Sequence, residues 1–253
     1  MNRYIAILIA ALTSAEMQAF QLAPRLVVNI TIDQLRSDYI EAFSPLFSQD
    51  GIRKLMQEGK VYETASYPFK SVTEPSAIAT IATGATPYYH GIVSPQWLDR
   101  NTLRQIYCVD DNRYGASPAN LKTSTVSDEM KISSAGSSIV YSIAEDKSSA
   151  ILSAGHAADN AIWFDGTRRK WQTSPYYGAS PKWLNTGIFS HDISNDDIAT
   201  KAGEIVSKTS MGTDNITDML SITLSATSSD NAVGNWQNRM QSVYTKLDNT
   251  LGN

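Results

Sequence analysis

From residue 25 onward the chain alternates between continuous apolar runs and segments whose apolar residues recur at helical spacing. Leu26-Val27-Val28-Asn29-Ile30-Thr31-Ile32 is β-branched almost throughout, the pattern of a central parallel strand buried on both faces, and it ends in Asp33. Residues 48–59 put Ile52, Leu55 and Met56 on one helical face, and residues 60–67, with Val61 and Tyr62, read as a strand. Residues 125–133 read as a helix capped by Ser127, and 138–143 as a strand. Residues 150–152 and 161–164 read as two further strands; the second turns at Asp165-Gly166-Thr167 into Lys170-Trp171-Gln172-Thr173 as a hairpin. Ile198, Ala202, Ile205 and Val206 mark a helix over 196–208, residues 218–225 a buried strand, and Met240, Val243, Tyr244, Leu247 and Leu251 a last helix over 235–251. Residues 95–122 are turn-rich and read as an excursion from this alternation. Strands alternating with helices predict an α/β fold, a three-layer α/β/α sandwich around a mostly parallel sheet.

One junction carries chemistry. Thr73 precedes Glu74-Pro75-Ser76 and the short apolar run Ala77-Ile78-Ala79-Thr80-Ile81-Ala82, which ends at Gly84. Thr is a favoured N-cap, Pro is favoured in the first turn, and Gly is the usual residue past a helix end. Thr73 is therefore placed at the positive end of a helix. There it is either an ordinary cap or a hydroxyl set where a phosphate is stabilised. Asp33, at the carboxyl end of its strand, lies where open α/β sheets place their ligands.

Together these residues resemble the alkaline phosphatase superfamily, in particular its type I phosphodiesterase/nucleotide pyrophosphatase branch. The resemblance rests on Asp33-Gln34-Leu35-Arg36-Ser37-Asp38-Tyr39, on Thr73-Glu74-Pro75-Ser76, and on Thr83-Gly84 through Pro87 to His90-Gly91-Ile92. It extends through Trp97-Leu98-Asp99-Arg100, Thr125-Val126-Ser127-Asp128-Glu129, Gly155-His156-Ala157-Ala158-Asp159 and Pro181-Lys182-Trp183-Leu184-Asn185. It implies a phosphoric-ester hydrolase acting on a small phosphate ester, with Thr73 as nucleophile and bridging ligand, Asp33 as a metal ligand, and two zinc ions.

The same resemblance predicts ligands that the chain does not show. Where the family has an Asp and a His after a later strand, this sequence has Ser225-Ala226-Thr227-Ser228-Ser229-Asp230, with Ser228 at the Asp position and Asp230 open as a shifted substitute. The family's last Asp-His-Gly segment has no counterpart. Ser94-Pro95-Gln96 stands where monoesterases carry an Asn, and Asp146-Lys147-Ser148 where they carry a Lys-x-Arg pair; Lys147 and Lys70 are the nearest cations. The expectation is a phosphoric-ester hydrolase with an incomplete metal shell. The alternatives are a relative that binds a phosphorylated ligand or protein partner without turnover, or the amino-terminal part of a split enzyme.

The remaining titratable residues divide between cleft and scaffold. His156, after a strand, is open as a cleft residue or a replacement ligand; His90 reads as structural and His191 as a solvated loop residue. The pairs Asp110-Asp111 and Asp196-Asp197 read as turn and helix-start residues. Cys108, the single cysteine, lies in a β-branched stretch and reads as a small buried apolar residue.

Composition narrows the partners. The 253 residues are 42% hydrophobic and 18% charged with net charge −4, which gives no basic footprint for a nucleic-acid polymer. Arg3 followed by the apolar Tyr4-Ile5-Ala6-Ile7-Leu8-Ile9-Ala10-Ala11-Leu12 reads as a signal peptide over residues 1–19, too short to span a bilayer. Residues 20–253 then form one α/β domain, exported to a periplasm or secreted.

Overall fold

The computed structural model describes residues 23–184, 188–227 and 235–253. In chain order the elements are β1 (Leu26–Asp33), α1 (Ser37–Phe43), α2 (Ile52–Glu58), α3 (Glu74–Thr83) and α4 (Pro87–His90). The excursion follows as β2 (Gln96–Leu98), β3 (Gln105–Tyr107), β4 (Asp110–Asp111) and β5 (Gly115–Ala116). Then come α5 (Val126–Ser133), β6 (Val140–Ala144), α6 (Lys147–Ala154), β7 (Asn160–Asp165), β8 (Lys170–Thr173), α7 (Asn195–Thr209), β9 (Asp218–Ser225) and α8 (Trp236–Gly252).

The main sheet has the order β1-β9-β6-β7-β8 and is parallel except for the β7–β8 hairpin. β1 pairs with β9 over its full length, so Asp33 stands beside Ser225 at the shared carboxyl edge. A row of isoleucines crosses the sheet in register: Ile30, Ile222, Ile143 and Ile162. Period-two alternation then splits the core. Ile143, Leu220, Ile222 and Leu224 pack with Ile198 and Ile205 of α7 and with Tyr244 and Leu247 of α8. On the other face Val140, Ala144 and Ala161 pack with Ile78 and Ala79 of α3 and with Ile151 and Leu152 of α6. Each fully buried Ile or Leu contributes about 1.5–3 kcal/mol by leaving water. These are the three layers of the expected sandwich.

Four local readings are corrected. Residues 150–152 are not a strand but the middle of α6. Asp146 caps this helix, its carboxylate accepting from the Ser148 N–H at 2.7 Å and the Ser149 N–H at 3.2 Å. Ser148 through Ala154 are all buried, so the helix shows no polar face and its apolar triplet mimics a buried strand. Residues 60–67 form no strand: Val61 and Tyr62 are exposed and no ladder partner lies beside them. The cap of α5 is Thr125, not Ser127, and Thr125 and Asp128 close a reciprocal capping box. Among the described strands, finally, β1 lies at the edge of the sheet rather than at its centre. Its β-branched run is half-buried, and Val28 and Ile30 face solvent because no described strand covers its outer side.

Candidate functional site

Asp33 and Thr73 are brought to one cleft. Capping and packing fix α3: Thr73 is extended (φ −117°, ψ 158°) at its N-cap, Pro75 lies in the first turn, and Gly84 ends it with φ 66°. The helix buries Pro75, Ser76, Ile78 and Ala79. Ser76 Oγ accepts from the Thr73 N–H at 2.9 Å and from the Thr73 hydroxyl at 3.1 Å, and donates to the Thr73 carbonyl at 2.8 Å. Thr73 is thus held by its own helix and lines an open cleft of about 710 Å³. Asp33, Gln34, Tyr67, Val72 and Glu74 share its walls with Thr73.

Asp33 and Glu74 also line a neighbouring cleft of about 840 Å³ along the carboxyl ends of β1, β9, β6 and β7. Its other acids are Glu145, Asp146 and Asp165, and its cations are Lys147 and Arg168. Each cation already sits near an acid: Lys147 Nζ lies 3.8 Å from Asp110, and Arg168 Nη1 lies 3.4 Å from Asp165. Asn195 closes the end of β9, accepting from the Ser225 N–H at 3.0 Å and donating to its carbonyl at 2.8 Å.

Glu74 is the site residue the sequence reading missed. A Glu in the first helical turn is common on dipole grounds alone, so nothing local distinguishes it. In the structure burial pushes its carboxyl up, the negative charge of Asp146 adds to this, and the result is a pKa of about 7. Ser149 Oγ donates to Glu74 Oε1 at 2.6 Å, which partly opposes the shift. Tyr67 was also missed. Its phenol is raised by burial and by the charge of Asp33, and both residues line the same cleft.

The histidines are engaged elsewhere. His90 is buried; its Nδ1 accepts from the Ile92 N–H at 3.1 Å, so Nε2 carries the proton and donates to Thr80 Oγ1 at 3.1 Å. His156 is not a replacement ligand. Its Nδ1 lies 3.0 Å from Asp128 and its Nε2 3.0 Å from the Leu121 carbonyl. Both neighbours only accept, so the ring is held as an imidazolium with both nitrogens occupied. The Asp128 hydrogen bond is the main cause of its raised pKa. His191 is exposed and pairs with Asp197 at 3.1 Å. Asp111 shapes a turn by accepting from the Arg113 and Tyr114 N–H groups, and Asp196 and Asp197 lie in the first turn of α7. Cys108 is fully buried, and burial pushes its thiol to about 12.

Among the described residues no group of three or more His, Cys, Asp or Glu side chains is placed to hold a metal ion. Asp33 and Thr73 by themselves do not fit a two-zinc site, which needs about six ligands. Ser228 and Asp230, and the apolar run near the amino terminus, lie outside the described residues. No described helix is long and apolar enough to cross a membrane.

Comparison with known proteins agrees with this architecture. A family model described as type I phosphodiesterase / nucleotide pyrophosphatase matches residues 27–253. The chain is 32% identical to alkaline phosphatase PhoV of Synechococcus elongatus over 173 residues, covering 64% of this chain and 32% of PhoV. It is 30% identical to alkaline phosphatase PafA of Elizabethkingia meningoseptica, covering 64% of this chain and 32% of PafA. The crystal structure of wild-type PafA superimposes with a TM-score of 0.80 at 21% identity, over 90% of this chain and 58% of that one. The chain thus spans about a third of the length of the curated relatives it matches.

Proposed function

The chain belongs to the type I phosphodiesterase / nucleotide pyrophosphatase family, and we propose that it acts on phosphoric esters at the Asp33–Thr73 cleft, with Thr73 as nucleophile. The observation that carries this reading is the convergence of Asp33, from the end of β1, and Thr73, from the start of α3, on one open cleft. The Thr73 oxygen attacks phosphorus, the bond from phosphorus to the leaving alcohol breaks, and water then releases the phosphoryl group from Thr73. The backbone N–H groups at the start of α3 and the helix dipole favour the anion there. Zinc is what the family resemblance implies for this cleft, with Asp33 and Thr73 as its ligands. The described residues do not complete that shell, so no step is assigned to the metal.

Charge selects among esters. The neighbouring carboxylates repel a dianion more than a monoanion, and Asp146-Lys147-Ser148 replaces the Lys-x-Arg pair of monoesterases. The preferred substrate is therefore a phosphodiester or nucleotide rather than a monoester. Export to a periplasm follows from the apolar segment Tyr4–Leu12 behind Arg3.

Among the described residues no third ligand joins Asp33 and Thr73, which favours a second reading, in which the cleft binds a phosphate ester without turnover. Hydrolysis of a diester and a monoester, measured with zinc content for the wild type and Thr73→Ala, separates the two. Turnover that disappears in Thr73→Ala supports catalysis. Binding of the ester without turnover in either protein supports the second reading.

A further inference from the structure

We propose that Lys147 binds the phosphoryl group of the ester, and that the excursion over residues 95–122 positions it there through Tyr107 and Asp110. The assignment rests on the phosphate-ester reading above and names the cation of that site.

The excursion builds a fixed seat for an ammonium group. Tyr107 pairs with Gln96 across the β2–β3 ladder, and the Cys108 N–H donates to the Pro95 carbonyl at 2.8 Å. Asn120 Nδ2 donates to the Cys108 carbonyl at 3.2 Å, and Cys108 and Val109 are buried in one cluster with Ile151 and Leu152 of α6. The Tyr107 N–H donates to Asp110 Oδ2 at 3.0 Å, which turns the other carboxylate oxygen toward Lys147. Lys147 Nζ lies 4.9 Å from the centre of the Tyr107 ring and 3.8 Å from Asp110 Oδ1. Burial pushes the Tyr107 phenol to about 12, so the ring is neutral beneath the ammonium.

This seat holds the cation without satisfying it. A separation of 3.8 Å is beyond hydrogen-bond reach, and a ring face offers no lone pair. The Lys147 and Asp110 side chains are 33% and 50% exposed, so water screens their attraction. The N–H donors of Lys147 are therefore open to a stronger acceptor such as a phosphoryl oxygen.

Helix packing brings the same residue to the ester site. Lys147 opens α6, and two residues on, Ser149 Oγ donates to Glu74 Oε1 at 2.6 Å. Glu74 directly follows Thr73, so the starts of α3 and α6 lie side by side. Lys147 shares the 840 Å³ cleft with Asp33 and Glu74, and these two acids also border the cleft of Thr73.

Charge selects Lys147 over its neighbour. Among the described residues lining the two clefts, the cations are Lys147 and Arg168. Arg168 is bound to its own turn: Asp165 accepts from its N–H at 3.0 Å and from its Nη1 at 3.4 Å. Lys147 remains as the cation beside Glu74. Its single charge balances that of a phosphodiester and leaves the second charge of a monoester facing Glu145 and Asp146.

Calorimetric titration of the full chain with inorganic phosphate, at low and high salt, tests the assignment. Lys147→Met should weaken phosphate binding by at least about tenfold and flatten its salt dependence, with an unchanged urea midpoint. Lys147→Arg should retain most of the affinity, and Arg168→Met should stay within about twofold of the wild type. Tyr107→Leu keeps the charge, removes the ring beneath it, and should weaken binding about threefold. Wild-type affinity in Lys147→Met, or an equal loss in Arg168→Met, overturns the proposal and leaves the ester reading standing. Wild-type affinity in Tyr107→Leu overturns the part given to the excursion. A wild type that binds no phosphate removes the ester reading and this assignment with it.

Discussion

Replacing Asp128 with Ala should unpin the turn that joins α6 to β7. The Asp128 carboxylate is 4% exposed and accepts from the N–H groups of Thr125 at 2.8 Å, His156 at 2.7 Å and Ala157 at 2.7 Å, and from His156 Nδ1 at 3.0 Å. Burial alone pushes this carboxyl up, but the hydrogen bonds from His156, Thr125 and Ala157 outweigh it and hold it below its ordinary value. Each buried donor left unsatisfied costs about 1–3 kcal/mol, and removing one partner of a buried charge pair costs about 3–5 kcal/mol. These overlap, so Asp128→Ala should lose about 3–5 kcal/mol, or roughly 6–20 °C in Tm for a domain of this size. The pH dependence gives a second check. His156 is raised, so its contribution is complete below its ordinary value of 6.5 and disappears as pH rises through the raised value. Asp128 is lowered, so its contribution is complete above 3.8 and disappears only as pH falls through the lowered value. Urea unfolding of both proteins at pH 6 and pH 9 should therefore show the larger loss at pH 6. A loss below about 1 kcal/mol at pH 6, or one that grows toward pH 9, would refute the pinning role.

Glu74 should behave in the opposite sense. Its carboxyl is raised from 4.5 to about 7, so the folded state weakens as pH rises through that range. Glu74→Gln should leave stability unchanged at pH 5 and raise it at pH 9 by on the order of 2–3 kcal/mol; equal urea midpoints for both proteins at pH 9 would contradict this. Gly155 has φ +77°, and a Cβ there would collide with Thr125 Oγ1 and the Asp128 carboxylate. Gly155→Ala should cost more than about 2 kcal/mol in urea unfolding, and less than additively with Asp128→Ala because both disturb one network. Full additivity in the double variant would place the two effects in separate parts of the structure.

The parallel layers were legible because period and punctuation agree there. β9 is buried along nearly its whole length, with Met219, Leu220, Ile222 and Leu224 set among small polar residues, and α7 and α8 expose one polar face each. The Asp33–Thr73 convergence was legible because strand-end Asp and Thr-x-Pro capping are local signals. α6 was not legible as a helix: buried on all sides and rich in Ser and Ala, it offers no amphipathic period. The edge position of β1 was hidden because its β-branched composition suits a central strand, while burial depends on what lies beside it. Nor could a local pattern reveal that both nitrogens of His156 are engaged, since its partners Asp128 and Leu121 lie 28 and 35 residues away.

Thr73 is the residue proposed to attack phosphorus. Incubation with a phosphate diester or monoester, followed by acid quenching and mass spectrometry of the peptide containing Thr73, tests it directly. A phosphoryl ester should appear on Thr73, absent from Thr73→Ala and lost from the folded enzyme when the quench is delayed until substrate is exhausted, as water releases it. Turnover that proceeds with no modified Thr73, or that survives Thr73→Ala, would contradict it.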